Sequence, residues 1–169
     1  MIVYNPSSVL SILTEDTDNI FNMRFTPDCI NSLSPDEIFV FGSNLAGHHM
    51  GGAARTAMER FGAQWENGEG IQGQSYAIPT MQGGIETIRP YVDRFLDFAG
   101  VWDQNTFLVT RIGCGIAGFT PEDIAPLFDK AIDMYNVVLP KDFFDIIVAR
   151  RKRLGIPLPV GLPGEYYKD

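Results

Sequence analysis

Apolar residues along this chain fall into short unbroken runs and longer stretches spaced at helical intervals, and the two kinds alternate. Residues 38–41 form a continuous apolar run that predicts a strand buried on both faces. Residues 75–78, closed by Pro79-Thr80, predict a second strand, and residues 106–112, rich in β-branched and aromatic side chains, a third. A fourth is expected at 137–139. Between these runs Ala53, Ala54, Ala57, Met58 and Phe61 recur at helical spacing and stop at Gly62, a residue suited to a helix C-terminus. Ile88, Tyr91, Val92, Phe95 and Phe98 mark a helical stripe over 85–98.

Thr120-Pro121-Glu122-Asp123 reads as a helix start. Threonine caps, proline takes the first turn, and the acids complement the helix dipole. Ile124, Leu127, Phe128, Ala131 and Ile132 continue its buried face, and a last helix is expected over 143–153. A short helix is expected over 7–13, a loop over 65–74, and an extended tail over 155–169. Strands alternating with helices place the chain in the α/β class, with a central mixed sheet covered on both faces. One domain is expected over residues 1–169, with 1–27 as an N-terminal extension.

Composition narrows the function classes. At 169 residues and 45% apolar content the chain has the size and core of one ordinary domain. No window reaches the length of a membrane-spanning helix, so no membrane association is expected. The net charge of −8 disfavours broad nucleic-acid binding, which needs a basic face. Arg150-Arg151-Lys152-Arg153 is read as a solvated helix end near the negative pole of the dipole. Cys29 and Cys114 lack metal-site spacing and are too few for a disulfide scaffold. No metal and no cofactor are expected, and the N-terminus shows no secretory pattern, which makes a cytoplasmic protein the expectation.

Two glycine loops carry the candidate chemistry, and on adjacent strands they would face each other across one cleft suited to a nucleotide-type ligand. After the run at 38–41 the chain reads Gly42-Ser43-Asn44-Leu45-Ala46-Gly47-His48-His49-Met50-Gly51-Gly52 and then enters a helix. That order presents unpaired backbone N–H groups to an anion. The second loop, Gly113-Cys114-Gly115-Ile116-Ala117-Gly118, matches the bare G-x-G-x-x-G spacing but lacks the acidic residue expected on a following strand. No G-x-x-x-x-G-K-[ST] sequence occurs, which disfavours a P-loop enzyme. Because bulk charge opposes an anionic ligand, binding has to rest on local dipoles.

Phe41-Gly42-Ser43-Asn44 with Met50-Gly51-Gly52-Ala53, the strand Tyr76-Ala77-Ile78-Pro79-Thr80, and the run from Thr110 through Phe119 to Ala125 together resemble the macro domain family, which binds ADP-ribose. The resemblance spans roughly residues 28–135. It implies a single three-layer α/β/α sandwich and a partner that is ADP-ribose or an ADP-ribosylated protein. Asn44 would orient the distal ribose, and Gly51 and Gly52 would admit it. Gly113, Cys114, Gly115, Ile116, Ala117 and Gly118 would clamp the diphosphate, Phe119 would flank the distal ribose, and Asp28 would accept from the adenine amino group. The chain departs from the family at two places. Phe41 replaces the first of two paired asparagines, and Ala53-Ala54 stands where hydrolytic members carry an aspartate. His48 or His49 would then be the substitute base of an ADP-ribosyl hydrolase; the alternative is a non-enzymatic reader.

Overall fold

A computed structural model describes residues 23–169; the helix expected over 7–13 lies outside the described residues. The described residues divide into two compact units, Phe25–Leu158 and a second to which Pro159–Asp169 belongs.

The first unit is built on a five-stranded sheet. Its strands are β1 (Glu37–Ser43), β2 (Gly70–Gln72), β3 (Ser75–Pro79), β4 (Thr106–Val109) and β5 (Val137–Val138), in spatial order β2-β3-β1-β4-β5. β1 pairs in parallel with both β3 and β4, and β4 pairs in parallel with β5, while the edge strand β2 is antiparallel to β3. The helices are α1 (Gly52–Arg60), α2 (Ile85–Val101), α3 (Pro121–Ile124) and α4 (Lys141–Leu154). This is a mixed α/β fold, as the alternation of runs predicts.

Both faces of the sheet are covered, which explains the unbroken apolar runs. On β1, Ile38 and Val40 enter one core with Ile88, Phe95, Phe107, Phe128 and Phe143. Phe39 and Phe41 point to the opposite face, where they pack with Ala57, Phe61 and Ala77. Phe39 and Phe61 have ring centroids 4.9 Å apart. The period-two geometry of the strand thus divides one apolar run between two layers.

Several boundaries differ from expectation for physical reasons. β4 stops at Val109 rather than at 112; Thr110 continues the association through its N–H and hydroxyl, both donated to the Val40 carbonyl. The expected loop at 65–74 contains the three-residue edge strand β2, too short to leave an alternating pattern. The long helix expected after Thr120 is α3 alone, with its capping box intact, followed by a 3-10 segment Ala125–Asp133 kinked at Phe128. Pro126 lacks the N–H that an α-helix requires there.

Residues 25–27 are not an extension. The Thr26 N–H and hydroxyl donate to the carbonyls of Leu139 and Val138, each at 2.9 Å. Arg151 also departs from expectation. It is buried, forking to Asp129 at 2.9 Å and Asp133 at 2.7 Å and donating to the Pro157 carbonyl at 3.1 Å. Gly155 ends α4 in the left-handed conformation at φ 68°.

In the second unit, Gly164–Tyr167 forms a 3-10 turn within the expected extended tail. There the Leu162 N–H donates to the Tyr167 hydroxyl, which in turn donates to the Pro159 carbonyl. Among the described residues no helix is long and apolar enough to cross a membrane.

Candidate functional site

β1 connects through α1 and β2 to β3 on one side of itself, and β3 connects through α2 to β4 on the other. The crevice at the carboxyl ends of β1 and β4 is therefore a topological switch point, where open α/β sheets bind ligands. Both glycine loops leave from these ends. They line one cavity of about 350 Å³, to which the first contributes Gly42, Asn44, His48, Gly51 and Gly52, and the second Gly113, Gly115, Ile116 and Ala117. The strand ends approach so closely that a Cβ on Gly42 would lie 3.3 Å from the Gly113 nitrogen.

The first loop is internally clamped. Asn44 accepts from the His48 N–H and donates to the His48 carbonyl, both at 3.1 Å, so part of its hydrogen-bonding capacity is spent shaping the loop. Beyond it, α1 begins with Gly51 at the N-cap, with no side-chain cap and no acid in its first turn. Its first amides, at the positive end of the dipole, line the cavity through Gly52, Ala53 and Ala54.

On the opposite wall, Gly118 N–H donates to Gly115 O and Phe119 N–H to Gly113 O, closing the loop on itself. The amides of Gly115, Ile116 and Ala117 have no backbone acceptor among the described residues. Ile116 is 79% exposed and reaches across the cavity; a Cβ on Gly51 would lie 3.6 Å from its Cδ1.

Among the described residues lining this cavity, Arg111 is the one formal cation. Its Nε donates to Asp142 at 2.8 Å, and Nη1 bonds Asp28. These two carboxylates hold the guanidinium pKa above its ordinary value, with Asp142 the larger cause. Arg111 is thus already paired with two carboxylates. Ala53, Thr110 and Arg111 also form part of a neighbouring cavity of about 400 Å³, lined further by Asp28, Ile30, Asn31, Phe39 and Arg60. Asp28 accordingly sits beside the first cavity, tied to its wall through Arg111.

Not every expected residue faces the cleft. His48 does, exposed and stacked on Trp65 at 4.7 Å between centroids. His49, its neighbour in sequence, is fully buried and does not line the cavity; its Nε2 lies 3.1 Å from the Asn67 carbonyl and Phe41 meets it edge-on at 5.2 Å. A ring so enclosed has no access to a substrate water, which removes it as a base. Gly118 and Phe119 are not among the lining residues; Phe119 packs on the larger core, close to Gly113. Cys114 is half-buried on the same side, and burial, followed by the Asp142 carboxylate, pushes its thiol up to about 11.

Sequence reasoning missed Thr80, Met81, Thr110 and Arg111 as cavity walls, and the segment 64–68 that backs the first loop. Arg111 and Thr110 directly precede the second glycine loop, so their position was the available signal. The backing segment left none beyond loop composition. No protein family, curated protein or solved structure matches the chain.

Proposed function

We propose that this protein binds ADP-ribose, or a closely related nucleoside diphosphate sugar, in the cleft between its two glycine loops, within a fold of macro-domain type. The observation that carries this reading is the convergence of the uncapped α1 N-terminus and the amides of Gly115, Ile116 and Ala117 on one cavity. Two sets of N–H groups without backbone acceptors, lining one cavity, suit a diphosphate, and they attract it without the basic surface this acidic chain lacks. Both cavities fall within the usual size range of small-molecule sites, roughly 300–1,000 Å³. Their shared wall suits a ligand that extends from the diphosphate toward Asp28.

Binding without turnover is the second reading. Among the described residues lining the first cavity, His48 is the only side chain of general-base type, and no carboxylate accompanies it. Hydrolysis of an ADP-ribosyl linkage would rest on that exposed imidazole or on the substrate's own phosphate.

Titration calorimetry with ADP-ribose tests the binding claim. Saturable heat with one site per chain is expected; no heat at millimolar ligand overturns it. Incubation with a mono-ADP-ribosylated protein then separates the two readings. Release of free ADP-ribose selects the hydrolase, and tight binding without release selects the reader.

A further inference from the structure

His49 poses a question that its burial alone does not answer. A carbonyl oxygen only accepts, so Nε2 donates the hydrogen in the bond to Asn67, leaving Nδ1 as the ring's second polar atom. That Nδ1 is buried without a partner among the described residues. An apolar ring beside Phe41 would bury no unsatisfied nitrogen, so packing alone does not account for an imidazole here.

What it holds is the backing of the first loop. The Asn67 carbonyl accepts from His49 and, at 3.0 Å, from Nε2 of Gln72. Gln72 Oε1 accepts from the Gln64 N–H at 2.7 Å, Ser43 donates its hydroxyl to the Gly68 carbonyl, and Glu66 N–H donates to the Gly47 carbonyl at 3.0 Å. The segment 64–68 is thereby fixed to β1, to β2 and to the loop. His49 is the loop side chain nearest the α1 amides that joins this framework. After it come Met50, 74% exposed, then Gly51 and Gly52, a stretch with little packing and two glycines.

We propose that His49 is a positioning residue. Its Nε2–H, anchored on the Asn67 carbonyl, sets the orientation in which the amides at the start of α1 meet an anionic ligand. The ligand half of this inference rests on the binding reading above, while the loop half does not.

Two measurements on the full chain test it. In His49→Phe, ADP-ribose affinity should fall about tenfold while the melting temperature holds or rises, since the variant removes an unsatisfied buried atom. His49→Gln, which restores a donor, should recover affinity to within about threefold. A purely structural histidine gives the opposite pattern, with a lower melting temperature and unchanged affinity of the folded protein. Amide hydrogen exchange over residues 47–52 without ligand should be faster in His49→Phe than in the wild type, and closer to wild type in His49→Gln. Should His49→Phe not fold, His49→Leu takes its place. Wild-type affinity and wild-type exchange in the folded variant overturn the proposal. If the wild type itself gives no heat with ADP-ribose, the binding reading fails, and the exchange comparison still decides the role of His49.

Discussion

Gly47 and Asn67 meet backbone to backbone: a Cβ on Gly47 would lie 2.2 Å from the Asn67 nitrogen, and Gly47 itself sits at φ 69°. Gly68 makes the reciprocal approach, where a Cβ would lie 2.2 Å from the Asn44 carbonyl oxygen. The first glycine loop is thus interlocked with the segment behind it, and Gly47 of the loop and Gly68 of the segment serve contact rather than ligand.

Gly47→Ala should be costly. Left-handed backbone disfavours any Cβ by about 1–2 kcal/mol, and here the clash is with main chain that cannot rotate away. A loss of at least about 2 kcal/mol is expected, read as a melting temperature lower by roughly 4–8 °C. A melting temperature within 1 °C of wild type would show that the two segments separate freely.

Gly115→Glu should behave differently. A Cβ at Gly115 meets nothing within 4 Å, and its φ lies outside the left-handed region, so the variant folds with little change in melting temperature. Its carboxylate would stand among the amides offered to the ligand. ADP-ribose binding should weaken at least tenfold by calorimetry, and retained affinity would move the diphosphate elsewhere.

His48 provides the catalytic test. If the protein hydrolyses an ADP-ribosyl linkage through this imidazole, His48→Ala should slow release by roughly 100-fold or more, as loss of a general base does. Affinity should change much less, because the amides are untouched. Undiminished turnover in His48→Ala would assign proton transfer to the substrate phosphate.

Stability should fall in alkali. The Cys114 thiol is raised to about 11 from its ordinary 9.0, chiefly by burial, and the Tyr76 hydroxyl to about 12 from 10.0, again chiefly by burial. Both groups are neutral in the folded chain and ionise more readily unfolded. Their contribution is complete below about pH 9 and is lost as pH climbs through 11 and 12. Cys114→Ala combined with Tyr76→Phe should flatten the pH dependence of denaturant unfolding between pH 9 and 12; an unchanged slope would contradict the assignment.

Arg151→Met should destabilise the join between α4 and the 3-10 segment. It strands Asp133 and the Pro157 carbonyl and leaves Asp129 with Arg150 at 3.7 Å, although both carboxylates keep some contact with water. A buried pair broken on one side costs about 3–5 kcal/mol, and solvent at the aspartates reduces this to about 2 kcal/mol. Arg151→Lys should recover little, since an ammonium cannot reproduce the fork. Denaturant midpoints for the two variants check both statements.

Local chemistry was legible in the sequence. Unbroken apolar runs marked β1, β3, β4 and β5 because strands covered on both faces have no polar side to show. Thr120 and Asp123 marked a helix start because a capping box is complete within four residues. The glycine loops were visible because their spacing is itself a local property. Decisions between distant segments were not legible. That the loops after residues 43 and 109 would face one cleft was legible as an expectation for adjacent strands, whereas the adjacency of β1 and β4 itself was decided by the sheet order. Arg151 looked like its neighbours in a basic run, and only the docking of α4 on Asp129 and Asp133 buried it. His48 and His49 are the sharpest case. Two identical side chains one bond apart differ in nothing that composition or spacing records. The fold turns one toward solvent beside Trp65 and the other into the layer under α1, because burial is fixed by what the rest of the chain packs against each ring.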